Sequence, residues 1–313
     1  MRLLVVVHLP GGVYSASEVL TISDAVPLTG ATARCGLPGP FPGQLPAPSR
    51  PLTPPPTIGK VSDEWPPVDW GVVNSSSTVT IRAIGVEIEV DDLTTDLAVR
   101  FDRELNSWGS LLHTWLAILA SGPPGVLFST GAVTWPTEIE HELLTRRYRG
   151  GDMYEPERSS PWGWRHALSH AAAGDQPPAS RALLAKATTS AFDEDYRPAV
   201  LDAATATEIA LTQGISRHLG HRGADAEVKD LILRNRTLGG LIQLARELSL
   251  HLQSPVKTDL LELRNRVAHH GVAPDQDAAH KAIAAARGVV EYYDPLTDHC
   301  DEAAILAEKG RWT

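Results

Sequence analysis

The chain has 313 residues, 42% hydrophobic and 21% charged, which is typical of folded globular protein and is long enough for two domains. Its formal net charge of −10 argues against bulk nucleic-acid binding, and its two cysteines, Cys35 and Cys300, argue against a disulfide framework or a CxxC metal pair. No run of about 18 uncharged apolar residues is present, so we expect no membrane span and a reducing, cytoplasmic location.

The first 150 residues predict a β-rich α+β domain, and a sensing or regulatory role for it follows only from the nuclease hypothesis given below. An apolar run from Leu3 to Leu9 stops at the sequence Pro-Gly-Gly, residues 10–12. This pattern predicts an edge strand entering a turn rather than a signal peptide. Residues 36–57 are rich in Pro and Gly, which indicates a loop or an extended polyproline-like segment.

Alternation and periodicity predict the next elements. Residues 78–90 predict a strand, or two strands broken near Gly85, and residues 94–100 predict another. Residues 101–120 predict a helix, because apolar side chains recur there at spacings of three and four. Residues 125–135 predict a further strand. Five tryptophans of this region could line a ligand pocket, although such residues are more often core: Trp65, Trp70, Trp108, Trp115 and Trp135.

The amino-acid composition and patterning change in the second half of the chain. Residues 151–179 predict a linker with one short helix at 163–173, and residues 180–313 predict an all-α domain. Apolar stripes at helical spacing predict a helical bundle there. The predicted helices are 180–190, 194–220, 227–252, 256–270 and 275–293. Residues 197–270 are the only net-basic segment, with 10 Lys and Arg against 8 Asp and Glu.

One motif in the basic segment carries candidate chemistry. The sequence from Leu261 to Gly271 reads LELRNRVAHHG and places Arg264, Asn265 and His269 near the end of a predicted helix. Two other pairs share the Arg-x4-His spacing, at residues 165–170 and 246–251. Neither has an Asn after the Arg or lies in the same place of the predicted bundle, so we assign both to chance.

The motif resembles the RNase-type signature of the HEPN family, in which an Arg and a polar residue are followed by a His near the end of the third bundle helix. The Ala-rich helix 199–211 with its central Glu208 is also similar to the family, and the resemblance covers about 115 residues. It implies a four-helix bundle and a metal-independent endoribonuclease without cofactors that acts as a homodimer through the helical domain. Many such proteins serve in phage defence or toxin–antitoxin systems, so an antitoxin or a phage-derived trigger is an expected partner.

The residue types suit RNA cleavage. RNA supplies its own nucleophile, the 2′-OH, so the protein must move protons and stabilise phosphoryl charge. His269 suits proton transfer, Arg264 suits the phosphate oxygens, and Asn265 lies four residues before His269, on the same helix face, where it can orient the imidazole or the substrate. His270 is an additional candidate proton carrier, and Arg266 supports the basic surface.

Arg264 fits this arrangement less simply. On a regular helix it lies about 140° from His269, toward the buried residues. Either the helix bends, or the side chain reaches around, or a partner protomer supplies the facing group. From residue chemistry alone, the simpler interpretation is structural, with Arg264 paired to Glu208 and His269 stabilising the helix C-terminus. The resemblance favours catalysis instead.

Other sequence patterns give weaker evidence about function. Some HEPN toxins have a Tyr two residues after the His, where a partner enzyme modifies it, and Gly271 stands there in this chain. His166 and His170 have the spacing of a zinc pair without a third ligand nearby in sequence, so we predict no metal site. Residues 298–301 predict a solvated tail. The leading hypothesis is an RNase effector of prokaryotic defence or toxicity; the alternative is a non-catalytic HEPN-like module that binds a nucleotide or protein.

Overall fold

The computed structural model describes residues 2–39, 50–56, 68–75, 77–119, 159–220, 225–252 and 255–300. The chain divides into two compact units, residues 1–173 and residues 174–313. The first contains an antiparallel sheet and two helices, and the second is helical throughout its described part. The fold is therefore mixed α+β, with the strands first and most of the helices after them.

A five-stranded antiparallel sheet forms the first unit, and its strands are β1 Arg2–Ala16, β2 Ser23–Val26, β3 Thr32–Gly36, β4 Gly71–Ser75 and β5 Thr78–Glu89. The 3-10 turn Ser17–Thr21 joins the first two. The long strand β5 is central, because β1 pairs along one edge while β3 and β4 share the other. β2 extends the sheet beyond β3.

The strand β1 does not turn at residues 10–12 as predicted. It continues through a bulge, because His8 pairs with Ala83 and Val13 pairs with Ile81. Gly12 adopts a φ of +80° within the bulge, and a Cβ there would lie 2.8 Å from Cγ2 of Thr80. Only glycine tolerates this conformation and this approach without strain, so the Pro-Gly-Gly sequence marks a bulge rather than the end of the strand.

Of the two alternatives predicted for residues 78–90, the single strand is confirmed, whereas the strand predicted at 94–100 was wrong. The strand runs through Gly85 without a break, and residues 84, 86 and 88 on one of its faces are fully buried, as are residues 79, 81 and 83. Residues 94–100 do not form a strand. Helix α1, Thr95–Leu119, begins there, because Oγ1 of Thr94 accepts a hydrogen bond from the amide of Leu97 at 3.2 Å.

Helix α1 and the next helix, α2 Pro161–Ala173, pack against each other in the first unit. The helices predicted at 101–120 and 163–173 are confirmed, but they begin earlier, at Thr95 and Pro161. Trp70, Trp108 and Trp115 are buried core residues rather than the lining of an open pocket. The predicted strand at 125–135, together with Trp65 and Trp135, lies outside the described residues.

The second unit contains the helices α3 Ala179–Phe192, α4 Tyr196–Gly220, α5 Asp225–Arg234, α6 Leu238–Glu247, a π-helical turn Val256–Leu261, α7 Glu262–His270 and α8 Gln276–Tyr293. The single predicted helix at 227–252 was wrong. It breaks at residues 235–237, where Oγ1 of Thr237 accepts a hydrogen bond from the amide of Gly240 at 3.2 Å and starts α6.

Helix α4 is the centre of the second unit and contacts every other helix described there. Its buried positions are mostly small, including Ala203, Ala206 and Ala210, so neighbouring helices can approach closely. The buried side chains of α3, α4, α6, α7 and α8 join in one core. Within the described ranges, no helix combines the length and the apolar character needed to cross a lipid bilayer.

Candidate functional site

The candidate motif lies on one helical segment that starts with a wide turn. In the π-helical turn Val256–Leu261, the amide of Glu262 bonds to the carbonyl of Lys257, five residues earlier. Helix α7 continues from it without interruption. Four apolar side chains anchor the segment in the core: Val256, Leu260, Leu263 and Val267. The opposite face of α7 is consequently turned toward solvent.

Glycine ends this helix in the left-handed conformation. Gly271 has a φ of 65° and a ψ of 18°, and its amide bonds to the carbonyl of Arg266. A residue with a Cβ is disfavoured in this conformation. The Gly that departs from the toxin pattern therefore has a structural role here, because it closes the last turn of α7 immediately after His269 and His270.

The predicted site residues differ in exposure. The side chains of His269, His270 and Arg266 are exposed, whereas Arg264 and Asn265 are half-buried. Asn265 and His269 lie four residues apart on the solvent face, as expected for one helix face. Arg266 lies three residues before His269, at its other flank. The structure thus places the predicted catalytic histidine at an accessible helix end rather than in the core.

The side chain of Arg264 bonds to the neighbouring motif residue on the same helix. Its Nη1 donates a hydrogen bond to Oδ1 of Asn265 at 3.3 Å. Helix α7 is regular between Arg264 and His269, so no bend is needed. The bond joins two of the three motif residues, Arg264 and Asn265. Within the described ranges, no hydrogen bond or ion pair joins His269 to either of them.

Glu208 does not provide the predicted counter-charge. Its Oε1 accepts a hydrogen bond from the amide of Leu238, 3.1 Å away, and so caps the first turn of α6. Among the described residues Arg264 forms no ion pair with it. A carboxylate at a helix N-terminus accepts a hydrogen bond from an amide that has no partner within the helix, and it interacts favourably with the positive end of the helix dipole. This structural role explains Glu208 without a part in catalysis.

The other Arg-x4-His pairs have different settings. Arg246 lies in the last turn of α6, and His251 follows the helix and packs on Tyr292 with ring centroids 4.8 Å apart. Arg165 and His170 lie on α2, where His170 stacks on Trp115. Neither pair has an Asn that receives the guanidinium, so both remain useful as controls for the motif at Arg264.

Sequence reasoning missed a polar cluster that joins the first and last helices of the second unit. The carboxylate of Asp294 accepts a hydrogen bond from Oγ of Ser180 and lies 2.7 Å from Nε2 of His299, and its backbone carbonyl accepts bonds from Arg181. The predicted solvated tail at 298–301 was therefore wrong for His299, which is half-buried. The sequence feature that could have indicated this cluster was an Asp directly before a Pro at the end of a predicted helix.

The arrangement at the end of α7 has the components of proton and phosphate chemistry. It offers an accessible imidazole at His269, a half-buried guanidinium at Arg264 bonded to the amide of Asn265, and an exposed guanidinium at Arg266. Imidazole can carry a proton near neutral pH, and guanidinium groups bind phosphate oxygens in a planar fork.

Comparison with known proteins adds no relative, because no family model, curated protein or solved structure matches this chain.

Proposed function

We propose that the helical unit is a metal-independent endoribonuclease of HEPN type, and that the chain is an effector of prokaryotic defence or toxicity. The single observation that supports this most is an exposed His269 at the end of the same short helix that carries the bonded pair Arg264 and Asn265. A purely structural arginine would be expected to pair with a carboxylate, and Glu208 is engaged elsewhere.

The proposed reaction uses the 2′-oxygen of RNA as the nucleophile. As the 2′-oxygen attacks the adjacent phosphorus, its proton passes to a base, and the bond from phosphorus to the 5′-oxygen breaks while that oxygen takes up a proton. The products are a 2′,3′-cyclic phosphate and a 5′-hydroxyl. We assign proton transfer to His269 and stabilisation of the phosphoryl charge to Arg264.

Two further groups have supporting roles in the proposal. Asn265 positions the Arg264 guanidinium, and Arg266 provides a second positive charge at the flank of His269 for the RNA backbone. The resemblance leads us to expect a homodimer formed through the helical unit, in the cytoplasm, with the first unit sensing a trigger or restraining the nuclease. An antitoxin or a phage-derived molecule would be that trigger.

The test is a cleavage assay on total RNA and transfer RNA in the presence of EDTA. Wild-type protein should leave 2′,3′-cyclic phosphate ends, while His269→Ala and Arg264→Ala should reduce cleavage by on the order of a hundredfold or more. The matched controls are His251→Ala and Arg246→Ala, which remove exposed residues of the same types and spacing in the same unit.

The outcomes separate the two hypotheses. Cleavage lost only in the motif variants supports the nuclease. Equal cleavage by wild type and both motif variants points to a contaminating enzyme and removes the proposal. Absence of cleavage in every activation state tried, together with equal growth of cells that express wild type or His269→Ala, favours the non-catalytic binding module.

A further inference from the structure

Two histidines outside the proposed nuclease site lie together on helix α2. His166 and His170 are four residues apart, both are half-buried, and each offers a ring nitrogen within 4.8 Å of the other's. Residues at this spacing are neighbours on one helix face. Two imidazoles presented in this way form a common chelating pair for metal ions, as in metalloprotease helices.

Both imidazole rings pack against indole rings. His170 stacks on Trp115 with ring centroids 4.1 Å apart and an interplanar angle of 14°, and His166 packs on Trp162 with centroids 4.4 Å apart. Trp115 is buried in the contact of α1 with α2, so the His170 ring is attached to the core of the first unit. Side chains restrained like this lose little further freedom when they bind a ligand.

The distance between the two rings suits one ion after a small movement. A zinc–nitrogen bond is about 2.0–2.1 Å long, so two nitrogens on one tetrahedral ion lie about 3.4 Å apart. The centroids of the His166 and His170 rings are 6.4 Å apart. Their ring nitrogens lie within 4.8 Å of each other, so they need to approach by at most about 1.4 Å to share one ion.

We propose that His166 and His170 bind a divalent transition-metal ion of the class that prefers imidazole, with Zn²⁺ as the representative ion. Magnesium and calcium are excluded by the donor type, since they take oxygen ligands. The two imidazoles fill two coordination positions, and water or further protein donors fill the rest. The site belongs to the first unit and does not depend on the proposed nuclease chemistry.

The same rings could serve only to pack α1 against α2, and one substitution separates the two roles. His170→Phe keeps an aromatic ring on Trp115 and removes the metal-binding nitrogens. His166→Ala removes the other ligand. The control is His8→Ala, which deletes an exposed histidine of the same unit on strand β1. Untagged full-length protein is required, because a polyhistidine tag would bind the same ions.

The experiment titrates EDTA-stripped protein with ZnCl₂ by calorimetry and with CoCl₂ by visible absorption, and repeats a thermal melt with and without Zn²⁺. Wild type and His8→Ala should show one saturable site and a zinc-dependent rise in Tm, because an ion that binds the folded state stabilises it. His170→Phe and His166→Ala should lose both signals. Saturable binding that persists unchanged in these two variants, or its absence from wild type, overturns the proposal. Neither readout uses RNA cleavage, so failure of this site and failure of the nuclease are distinguishable.

Discussion

Nη1 of Arg264 donates a hydrogen bond to Oδ1 of Asn265, 3.3 Å away, which links Arg264 to the residue that lies four positions before His269 on the same helix. If Asn265 acts by positioning Arg264, the two residues work as one unit. Asn265→Ala should then lower RNA cleavage by the same order as Arg264→Ala, about a hundredfold, and the double variant should be hardly worse.

Asn265→Asp is the informative companion, because it keeps an oxygen that accepts the guanidinium and should retain more activity than the alanine variant. The rates of single-turnover cleavage for wild type and these variants decide the question. Multiplicative losses in the double variant would show instead that Asn265 contacts the substrate independently of Arg264.

A left-handed glycine ends α7, so substitutions at Gly271 should be costly. Gly271 has a φ of 65°, and a Cβ in this region destabilises the chain by about 1–2 kcal/mol. We expect Gly271→Ala to lower the protection of the α7 amides in native-state hydrogen exchange by this amount, and Gly271→Asn to cost less, since Asn tolerates the conformation better. Equal protection in wild type and Gly271→Ala would argue against the left-handed closure.

Two glycines in helices should respond oppositely to the same change. A Cβ on Gly214 of α4 would lie 2.2 Å from Cδ1 of Tyr293, whereas a Cβ on Gly239 of α6 meets nothing closer than 3.7 Å. Gly214→Ala should therefore destabilise the second unit by about 1–3 kcal/mol through overpacking, and Gly239→Ala should stabilise it by up to about 1 kcal/mol through helix propensity.

The Tyr293 ring cannot easily move away from such a methyl group. Its hydroxyl donates to the carbonyl of His251 at 2.6 Å, and burial raises the pKa of Tyr293 to about 12, which keeps the donor protonated. Hydrogen exchange of the α4 and α8 amides measures both variants, and destabilisation of equal size in the two would contradict the predicted clash.

Asp294 should be a major stabilising residue of the second unit. The residue is 5% exposed, and its carboxylate accepts a hydrogen bond from Ser180 and contacts His299, so Asp294→Ala leaves buried polar partners unsatisfied. We expect a loss of about 3 kcal/mol in the opening free energy of α3 and α8. Asp277→Ala is the control, because it removes an exposed carboxylate whose pair with Lys281 should contribute less than about 0.5 kcal/mol.

The first unit should lose stability in mild acid because of His113. Burial lowers the pKa of His113 from 6.5 to about 4, so the unfolded chain binds this proton more tightly than the folded chain. The stabilising effect of the neutral imidazole is complete above pH 6.5 and is lost as the pH falls toward 4, with a total of roughly 3 kcal/mol.

Urea unfolding followed by tryptophan fluorescence measures this loss, because seven of the eight tryptophans lie at or before Trp164. His113→Gln should flatten the pH dependence between these values, whereas His8→Gln, at an exposed position, should leave it as in wild type. A His113→Gln profile that is parallel to wild type would mean that other groups cause the acid response.

The elements with strong periodicity were predictable from the sequence. The helices at 101–120, 194–220, 256–270 and 275–293 correspond to helices of the structure, because each has an apolar stripe long enough to determine its buried face. The mixed α+β class followed from the same patterns. The positions of Arg264, Asn265 and His269 at one helix end were also predictable, since they depend only on the helix and its terminal Gly271.

The incorrect predictions have two physical causes. Each concerns either a contact with a residue far away in the sequence or a helix start that depends on a single capping side chain. Thr94 and Thr237 each start a helix with one hydroxyl, which an average over a window does not detect. Glu208 bonds to Leu238, thirty residues away, and His299 bonds to a carboxylate inside a fold that local pattern cannot show. Contacts of this kind become visible only when the chain is folded.

The π-helical turn at Val256–Leu261 determines which residues of the following helix face the solvent. Each residue of an ordinary helix advances the chain by 100°, and the wider turn takes up an additional residue before α7 begins. Loss of one residue inside this turn would therefore leave an ordinary helical turn, with α7 in the same orientation relative to the core. Asn265 and His269 would stay at the surface, so the turn holds one residue in reserve and the site would tolerate a shortening of the chain just before it.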